Sequence, residues 1–136
     1  MVKRPVVMVV EDDVEMNELE RELLDLFGMD AVAAYSGVEA LEVCERCTTD
    51  AVLLDLMLPE MDGYETCRRL RMSETNHGRM PIVIVTALDS EDFRRLGFEA
   101  GADAYFTKPF DPEQVAQTIQ ILIDRNHQTQ GDPASA

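Results

Sequence analysis

The sequence is poor in several kinds of residue, and each shortage argues against a class of protein. It has no tryptophan, 3 cysteines, and 12 basic residues against 27 acidic ones, which leaves a formal net charge of −15. So acidic a chain repels phosphate backbones and anionic lipids, and we therefore expect no direct binding of nucleic acid or membranes. No apolar run approaches the ~20 residues of a membrane helix. The first run ends at Glu11, too early for a signal peptide, and we expect a cytoplasmic protein.

The three cysteines, Cys44, Cys47 and Cys67, form an odd and sparse set. The first two have the C-x-x-C spacing that elsewhere indicates redox chemistry or zinc binding. Here they continue the helical pattern of Ala40 and Leu41 near the end of a predicted helix. A redox motif should instead begin a helix, where the dipole lowers the thiol pKa. We expect buried or half-buried thiols without chemistry.

The size and apolar content of the chain suit one globular domain. It has 136 residues, of which 46% are hydrophobic and 29% are charged, enough for both a core and a solvated shell. From Asn126 onward the sequence is polar and interrupted by glycine and proline. We therefore predict a domain over residues 1–126, followed by a disordered tail or linker over residues 127–136.

Apolar patterning predicts five strands that alternate with five helices. The strands are short apolar runs, several of them β-branched, as is typical of strands buried on both faces. They are predicted over residues 6–10, 31–34, 51–54, 82–85 and 104–106. Strict alternation of strands and helices within one domain predicts an α/β fold, a doubly wound five-stranded parallel sheet with helices on both faces.

The intervening helices show apolar residues at helical spacing. The first helix carries the stripe Met16, Leu19, Leu23, Leu26 and Phe27, and Gly28 is predicted to end it. Ser36 and Asp111 have the side chains and positions of N-caps for the second and the last helix.

Polar side chains follow four of the predicted strands, where ligands of a doubly wound sheet bind. They are Glu11, Asp12 and Asp13 after the first strand, Asp55 after the third, Thr86 after the fourth and Lys108 after the fifth. Carboxylates this close repel one another unless a cation offsets them, and oxygen ligands favour Mg²⁺. A lysine and a threonine nearby would hold a phosphoryl group. A carboxylate can itself be the nucleophile and become an aspartyl phosphate.

Five stretches in order carry a family resemblance. They are VVMVVEDD, AYSGVEAL, AVLLDLMLPEMDGYE, PIVIVTA and GADAYFTKPF. With them the sequence resembles, from residue 6 to about residue 110, the receiver domain of two-component response regulators, and it is similar to the chemotaxis response regulator. The resemblance implies a flavodoxin-like (βα)5 fold. It also implies a signalling domain rather than an enzyme, with any catalysis acting on its own phosphorylation and dephosphorylation.

The resemblance further implies a phosphoacceptor and a metal site. Asp55 would accept a phosphoryl group from a histidine kinase or a phosphotransfer protein. Glu11 and Asp12, with Asp55 and the backbone carbonyl of Met57, would hold Mg²⁺. Asp13 leaves a second reading of the acidic pair open, namely Asp12 with Asp13, although counting from the end of the first strand favours Glu11 with Asp12.

The resemblance also implies how the phosphoryl group is held and how its presence is signalled. Thr86 would bind phosphoryl oxygens, Lys108 would pair with the phosphate, and Tyr105 would act with Thr86 as a switch residue. A cis peptide is implied between Lys108 and Pro109, where a proline lowers its cost. Phosphorylation would then change the surface of the fourth helix, fifth strand and fifth helix, and so control a downstream protein or an output domain missing from this sequence. The last helix lacks a basic face, so we expect a monomer when unphosphorylated.

Three other functions fit the sequence less well. A magnesium phosphohydrolase with an aspartyl nucleophile needs a second acid two residues later, where this chain has Met57. A nucleotide-binding flavodoxin-like protein needs a glycine-rich phosphate loop after the first strand, and none is present. An inactive receiver that serves only for interaction predicts loss of Asp55, Lys108 or the metal acids, all of which are retained.

Overall fold

The computed structural model describes residues 3–73 and 79–131 of the chain. Its strands are β1 (Val6–Val10), β2 (Asp30–Ala34), β3 (Ala51–Leu54), β4 (Ile82–Thr86) and β5 (Ala104–Thr107). Its helices are α1 (Val14–Leu26), α2 (Gly37–Arg46), α3 (Gly63–Met72), α4 (Glu91–Glu99) and α5 (Pro112–Gly131). The strict alternation is confirmed, and no predicted strand end differs by more than one residue from the observed end.

All five strands are parallel and form one sheet in the order β2-β1-β3-β4-β5. The predicted doubly wound α/β fold is therefore confirmed. The direction of winding reverses between β1 and β3, which makes the carboxyl ends of these two strands the topological switch point. Glu11 follows β1 and Asp55 follows β3 at this point.

The core consists of two apolar clusters, one on each face of the sheet. Successive residues of β1 alternate between them, with Met8 and Val10 in one cluster and Val7 and Val9 in the other. Because helices cover both faces, a central strand buries every side chain and its sequence is a continuous apolar run. This is why the strands are readily predicted.

Each of the first four helices begins after a side chain that accepts a hydrogen bond from the backbone three residues on. These N-caps are Asp13, Ser36, Asp62 and Ser90. The predicted cap at Ser36 is therefore confirmed. At the start of α5, Asp111 Oδ1 accepts from the backbone N–H of Glu113 at 3.0 Å.

The face that α1 buries differs from its predicted apolar stripe. The buried residues are Asn17, Glu20 and Leu24, whereas Leu19 is 47% and Leu26 is 77% exposed. The Asn17 amide donates to three backbone carbonyls beneath it. These bonds set the rotation of α1 about its axis, so two polar residues take core positions that the apolar pattern assigns to leucines.

Two other sequence predictions differ from the structure. Cys47 is exposed, while Cys44 is half-buried and Cys67 is buried; helix α2 ends at Arg46, and Cys47 follows in extended backbone instead of completing a core-facing turn. Helix α5 continues to Gly131, so residues 127–131, which we predict as part of a disordered tail or linker, are helical. The rest of the predicted tail, residues 132–136, lies outside the described residues.

Candidate functional site

A lysine and two carboxylates meet at the switch point of the sheet. The Nζ atom of Lys108 lies 2.7 Å from Glu11 Oε1 and 2.9 Å from Asp55 Oδ2. The three side chains come from the carboxyl ends of β5, β1 and β3, which brings residues 97 and 53 positions apart into contact. The convergence that the sequence predicts for these three residues is present in the structure.

Backbone hydrogen bonds fix each of these residues at the end of its strand. The N–H of Glu11 donates to Ala34 O at 3.1 Å, and that of Asp55 donates to Val10 O at 3.0 Å. The N–H of Lys108 donates to Thr86 O at 2.7 Å. The Lys108–Pro109 peptide is cis, the form that the resemblance implies. The site is thus an extension of the sheet rather than part of a free loop.

Burial makes the charges of this site interact strongly. Glu11 is 4% and Asp55 is 8% exposed. Burial raises the pKa of Glu11 to about 7. The hydrogen bond from Lys108 acts against this increase, whereas the nearby charge of Asp55 adds to it. Burial also lowers the pKa of Lys108, but its hydrogen bonds to Asp55 and Glu11 outweigh that effect and the net shift is upward. The site therefore pairs two buried carboxylates with a single ammonium group.

The other two predicted acids have different surroundings. Asp12 is exposed at the rim of the site. Asp13 Oδ1 accepts from the N–H of Met16 at 3.0 Å and caps α1. Since this cap occupies the Asp13 side chain, the geometry favours Glu11 with Asp12 as the acidic pair over Asp12 with Asp13.

The loop after β3 fixes the position of Asp55 through a backbone hydrogen bond and close packing against α3. Asp55 Oδ1 accepts from the N–H of Met57 at 3.0 Å. The first residue of α3, Gly63, packs so close that a Cβ atom there would lie 2.4 Å from Leu56 Cα and 2.6 Å from Asp55 O. Only glycine fits this approach. Its N–H also donates to Leu56 O at 3.0 Å, so the loop is tied to the start of α3.

The donor set of the site suits a hard cation. Glu11 and Asp55 have buried carboxylates and Asp12 has an exposed one, and the resemblance adds the backbone carbonyl of Met57 as a further oxygen. Within residues 3–73 and 79–131, no three acidic, histidine or cysteine side chains form a ready-made metal cluster. Mg²⁺ needs only one or two carboxylates alongside water and phosphate oxygens. Glu11 and Asp55 share one ammonium group, that of Lys108, and a divalent cation would offset the remaining repulsion between their carboxylates, so the residues fit Mg²⁺.

A short chain of contacts leads from the site to α4. Thr86 is fully buried, and its Oγ1 accepts from the N–H of Leu88 at 3.4 Å. The phenol of Tyr105 donates to Leu88 O at 2.7 Å, and the residue is 6% exposed. Burial raises the pKa of this phenol to about 12. Arg94 on α4 stacks 5.0 Å from the centre of the Tyr105 ring. Both predicted switch residues therefore contact the backbone of one residue, Leu88, which precedes α4.

One acidic residue close to the site is not anticipated by the sequence. Glu20 on α1 is 4% exposed, and its Oε2 atom is buried without a hydrogen-bond partner. Burial raises its pKa to about 7, against the opposing charge of Lys108. The only sequence signal is a glutamate between apolar residues of a helix, which ordinarily indicates the solvated face.

Comparison with known families decides the classification. The model of the response regulator receiver domain matches residues 7–120. The chain belongs to this family. Within the described residues, no helix is both long and apolar enough to cross a membrane.

Several receivers resemble the chain over most of its length. It is 38% identical over 130 residues to response regulator MprA of Mycobacterium sp. strain KMS, covering 96% of this chain and 55% of MprA. It is 38% identical over 120 residues to the alkaline phosphatase synthesis transcriptional regulatory protein PhoP of Bacillus subtilis strain 168, covering 88% of this chain and 49% of PhoP. The receiver thus spans about half the length of these curated relatives.

Solved receiver structures share the fold. The Francisella response regulator 1452 receiver domain superposes with a TM-score of 0.81 at 31% identity, covering 90% of this chain and 98% of that one. The receiver domain of sensor histidine kinase PA1611 from Pseudomonas aeruginosa PAO1 superposes with a TM-score of 0.80 at 29% identity, covering 90% of this chain and 99% of that one. That structure is described with a magnesium ion coordinated in its active-site cleft.

Proposed function

We propose that this receiver accepts a phosphoryl group on Asp55, with Mg²⁺, from a histidine kinase or a phosphotransfer protein. The observation that carries the proposal is the position of the Asp55 carboxylate. It lies at the switch point of the sheet, where Lys108 Nζ and the N–H of Met57 donate to its two oxygens at 2.9 and 3.0 Å. Glu11 shares Lys108 with it.

The chain's own residues supply most of what phosphoryl transfer needs. A carboxylate oxygen of Asp55 attacks the phosphorus, a P–O bond forms, and the P–N bond to the donor imidazole breaks. The imidazole keeps the electron pair of that bond and takes a proton from solvent. Lys108 and the hydroxyl of Thr86 donate to the oxygens on which charge accumulates.

Mg²⁺ would be held by Glu11, Asp12, Asp55 and the carbonyl of Met57, and it would neutralise charge on the phosphoryl oxygens. Without a cation, the carboxylates of Glu11 and Asp55 would repel the incoming anion. The PA1611 receiver, which is described with magnesium in its cleft, supports this assignment by similarity.

We further propose a cytoplasmic receiver that is monomeric when unphosphorylated. Its phosphorylation would change the surface of α4, β5 and α5, and this surface would control a partner protein or an output domain. The regulatory relatives are about twice as long as their match to this chain, which supports the second form of output. A role in nucleic-acid binding would then fall to that output domain, since the receiver itself is strongly acidic.

The test is the site of labelling. Wild-type protein incubated with phosphoramidate and Mg²⁺ should gain the mass of one phosphoryl group, as measured on the intact protein. Asp55→Asn should gain none, because an amide is not a nucleophile. Asp89→Asn, which changes an exposed acid of the β4–α4 segment, is the matched control and should label like wild type. Equal labelling of Asp55→Asn would overturn the proposal.

A further inference from the structure

The unpartnered carboxyl oxygen Oε2 of Glu20 is the feature of this molecule that the proposed function leaves unexplained. A buried acceptor without a partner costs roughly 1–3 kcal/mol, and more if it is charged. Within the described residues, Glu20 Oε2 is the one side-chain oxygen or nitrogen atom in this condition. A leucine or isoleucine in its place would pack against the apolar residues around it without that cost.

The surroundings of Glu20 explain its isolation and also give its direction. It borders a small, partly open pocket of about 10 Å³ whose other lining residues are apolar. Those walls include Leu53 of β3, Phe110 of the β5–α5 segment and Val115 of α5. Leu53 stands two residues before Asp55, and Phe110 stands two residues after Lys108. Glu20 therefore borders the segments that carry these two site residues. Of the charged groups whose fields act on its carboxyl, Glu11 and Asp55 are negative and only Lys108 is positive.

Lys108 is already engaged in the structure, because its ammonium group is shared between Glu11 and Asp55. These are the two carboxylates to which we assign Mg²⁺. A divalent ion held by both carboxylates would compete with Lys108 for them. Where the ion displaced it, Lys108 would lose two charged acceptors at a depth where its side chain is only 19% exposed. An ammonium group left unpaired there would oppose metal binding.

We propose that Glu20 is a positioning residue: its carboxylate accepts a hydrogen bond from the Lys108 ammonium group when Glu11 and Asp55 bind Mg²⁺. This inference rests on the proposed function, because it assumes that those two acids hold the metal. Glu20 acts through Lys108 and does not touch the ion. Its buried charge destabilises the fold. The same charge holds Lys108 near Asp55 once the metal is bound, and so keeps the lysine within reach of the phosphoryl group.

The raised pKa of Glu20 fits this role. A carboxyl with a pKa of about 7 is mostly neutral in mildly acidic solution, where burial without a partner costs least. Approach of an ammonium group would lower its pKa and ionise it. The exchange of partners is therefore easiest near or above neutral pH, and the test below is made at pH 8.

A Glu20→Leu variant separates this role from a structural one. The variant should be more stable toward urea than wild type, since it replaces an unpaired buried carboxyl by an apolar group. It should nevertheless bind Mg²⁺ at least about tenfold more weakly, the equivalent of one lost charge-assisted hydrogen bond. Glu20→Gln, which keeps an acceptor but loses the charge, should lie between the two. The affinities are measured by calorimetric or NMR titration, because the chain has no tryptophan to report binding.

The matched control is Glu22→Leu, which removes an exposed charge from the same helix and should leave the Mg²⁺ affinity within about twofold. Glu20 could also favour Mg²⁺ by direct long-range attraction, without Lys108. A double-mutant cycle with Lys108→Met separates this effect from one that acts through Lys108. If Glu20 acts through Lys108, Glu20→Leu should no longer weaken Mg²⁺ binding when Lys108 is absent. A loss of the same size in both backgrounds would overturn the proposal.

A second measurement applies if Lys108→Met fails to fold. In wild type saturated with Mg²⁺, the Lys108 ammonium group should remain protected from exchange with water in ¹⁵N-detected spectra. In Glu20→Leu it should exchange rapidly. Equal Mg²⁺ affinity or equal protection in Glu20→Leu and wild type would refute the role of Glu20. Absence of Mg²⁺ binding in wild type itself would instead refute the proposed function.

Discussion

At the scale of single residues, the site is organised around too few positive charges for its carboxylates. Lys108 serves both Glu11 and Asp55, while Glu20 has no hydrogen-bond partner for Oε2. Burial raises the pKa of Glu11 and of Glu20 to about 7 in each case. The chain therefore carries two buried acids whose protonation changes in the neutral range, and its stability should depend on pH there.

The pH dependence is testable with Glu20→Gln. The pKa of Glu20 is about 7 in the folded chain and close to its ordinary 4.5 in the unfolded chain, so the folded state binds the proton more tightly between these values. Its contribution to stability is complete below pH 4.5 and is lost as the pH rises toward 7, by at most about 1.4 kcal/mol per pH unit. The variant lacks this loss. The free energy of unfolding of Glu20→Gln minus that of wild type should therefore increase from pH 5 to pH 7.

Urea unfolding followed by circular dichroism at pH 5, 6, 7 and 8 measures this difference. Glu22→Gln, on the exposed side of the same helix, is the control and should show no such trend. A difference between Glu20→Gln and wild type that stays constant across the series would show that Glu20 does not titrate in this range.

These residues also show how far the sequence can predict the site. Asp55 and Lys108 are predictable because a polar side chain directly after a buried apolar run has a defined place at the edge of a parallel sheet. Glu20 is not, since burial of a charged helix residue depends on how α1 is rotated against the sheet. That rotation follows from the hydrogen bonds of Asn17 to carbonyls of β1 and β2 and of the segment after β1. The apolar pattern of α1 does not encode these contacts with other segments.

At the scale of secondary-structure elements, the same contrast separates strands from helices. Central strands buried on both faces leave little ambiguity, and their predicted bounds agree with the structure to within one residue. Helix faces are less predictable, as exposed Leu19 and Leu26 show. The β3–α3 connection adds a constraint of another kind, because α3 begins in backbone contact with the loop that carries Asp55. Here one glycine determines how closely an element can approach the site.

Replacement of this glycine by alanine should damage both fold and site. In Gly63→Ala the new Cβ would lie 2.4 Å from Leu56 Cα, and backbone atoms cannot give way as a flexible side chain can. We expect a loss of roughly 2–4 kcal/mol in the free energy of unfolding, in the range of severe overpacking. Urea unfolding measures the loss, and phosphoramidate labelling should slow because Asp55 O lies 2.6 Å from the same Cβ position.

The control for this prediction is Gly28→Asn. Gly28 has φ of 86°, but no atom lies within 4 Å of the position that a Cβ atom would take there. Asparagine tolerates left-handed backbone, so this substitution should cost about 1 kcal/mol or less. If Gly63→Ala proved no more destabilising than Gly28→Asn, the close approach of α3 to the loop after β3 would not be a constraint on the fold.

At the scale of the whole molecule, hydrogen bonds at the end of β4 connect the site around Asp55 to α4. Thr86 ends β4, and its Oγ1 accepts from the N–H of Leu88; the Tyr105 phenol donates to the carbonyl of the same residue. Tyr64 on α3 donates to Phe93 O on α4 at 3.3 Å. Tyr105 is already buried in this structure. A switch through Thr86 would therefore begin with the bonds at Leu88, which leads directly into α4.

The last prediction concerns this route from the site to α4. A phosphoryl group on Asp55 would draw the Thr86 hydroxyl away from Leu88, and Tyr105 would follow the Leu88 carbonyl to which it is bonded. Shifting a two-state equilibrium from 1:99 to 99:1 needs about 5.5 kcal/mol, whereas one hydrogen bond to a charged group supplies about 1.5–3 kcal/mol. Thr86 alone is therefore insufficient, and Lys108 must supply part of the stabilisation.

Amide chemical shifts of α4, with and without beryllofluoride and Mg²⁺, should change less in Thr86→Ala and in Lys108→Ala than in wild type. Because beryllofluoride must first bind, its saturation is verified by ¹⁹F spectra of each variant. A full wild-type change in both saturated variants would mean that the signal reaches α4 by another route.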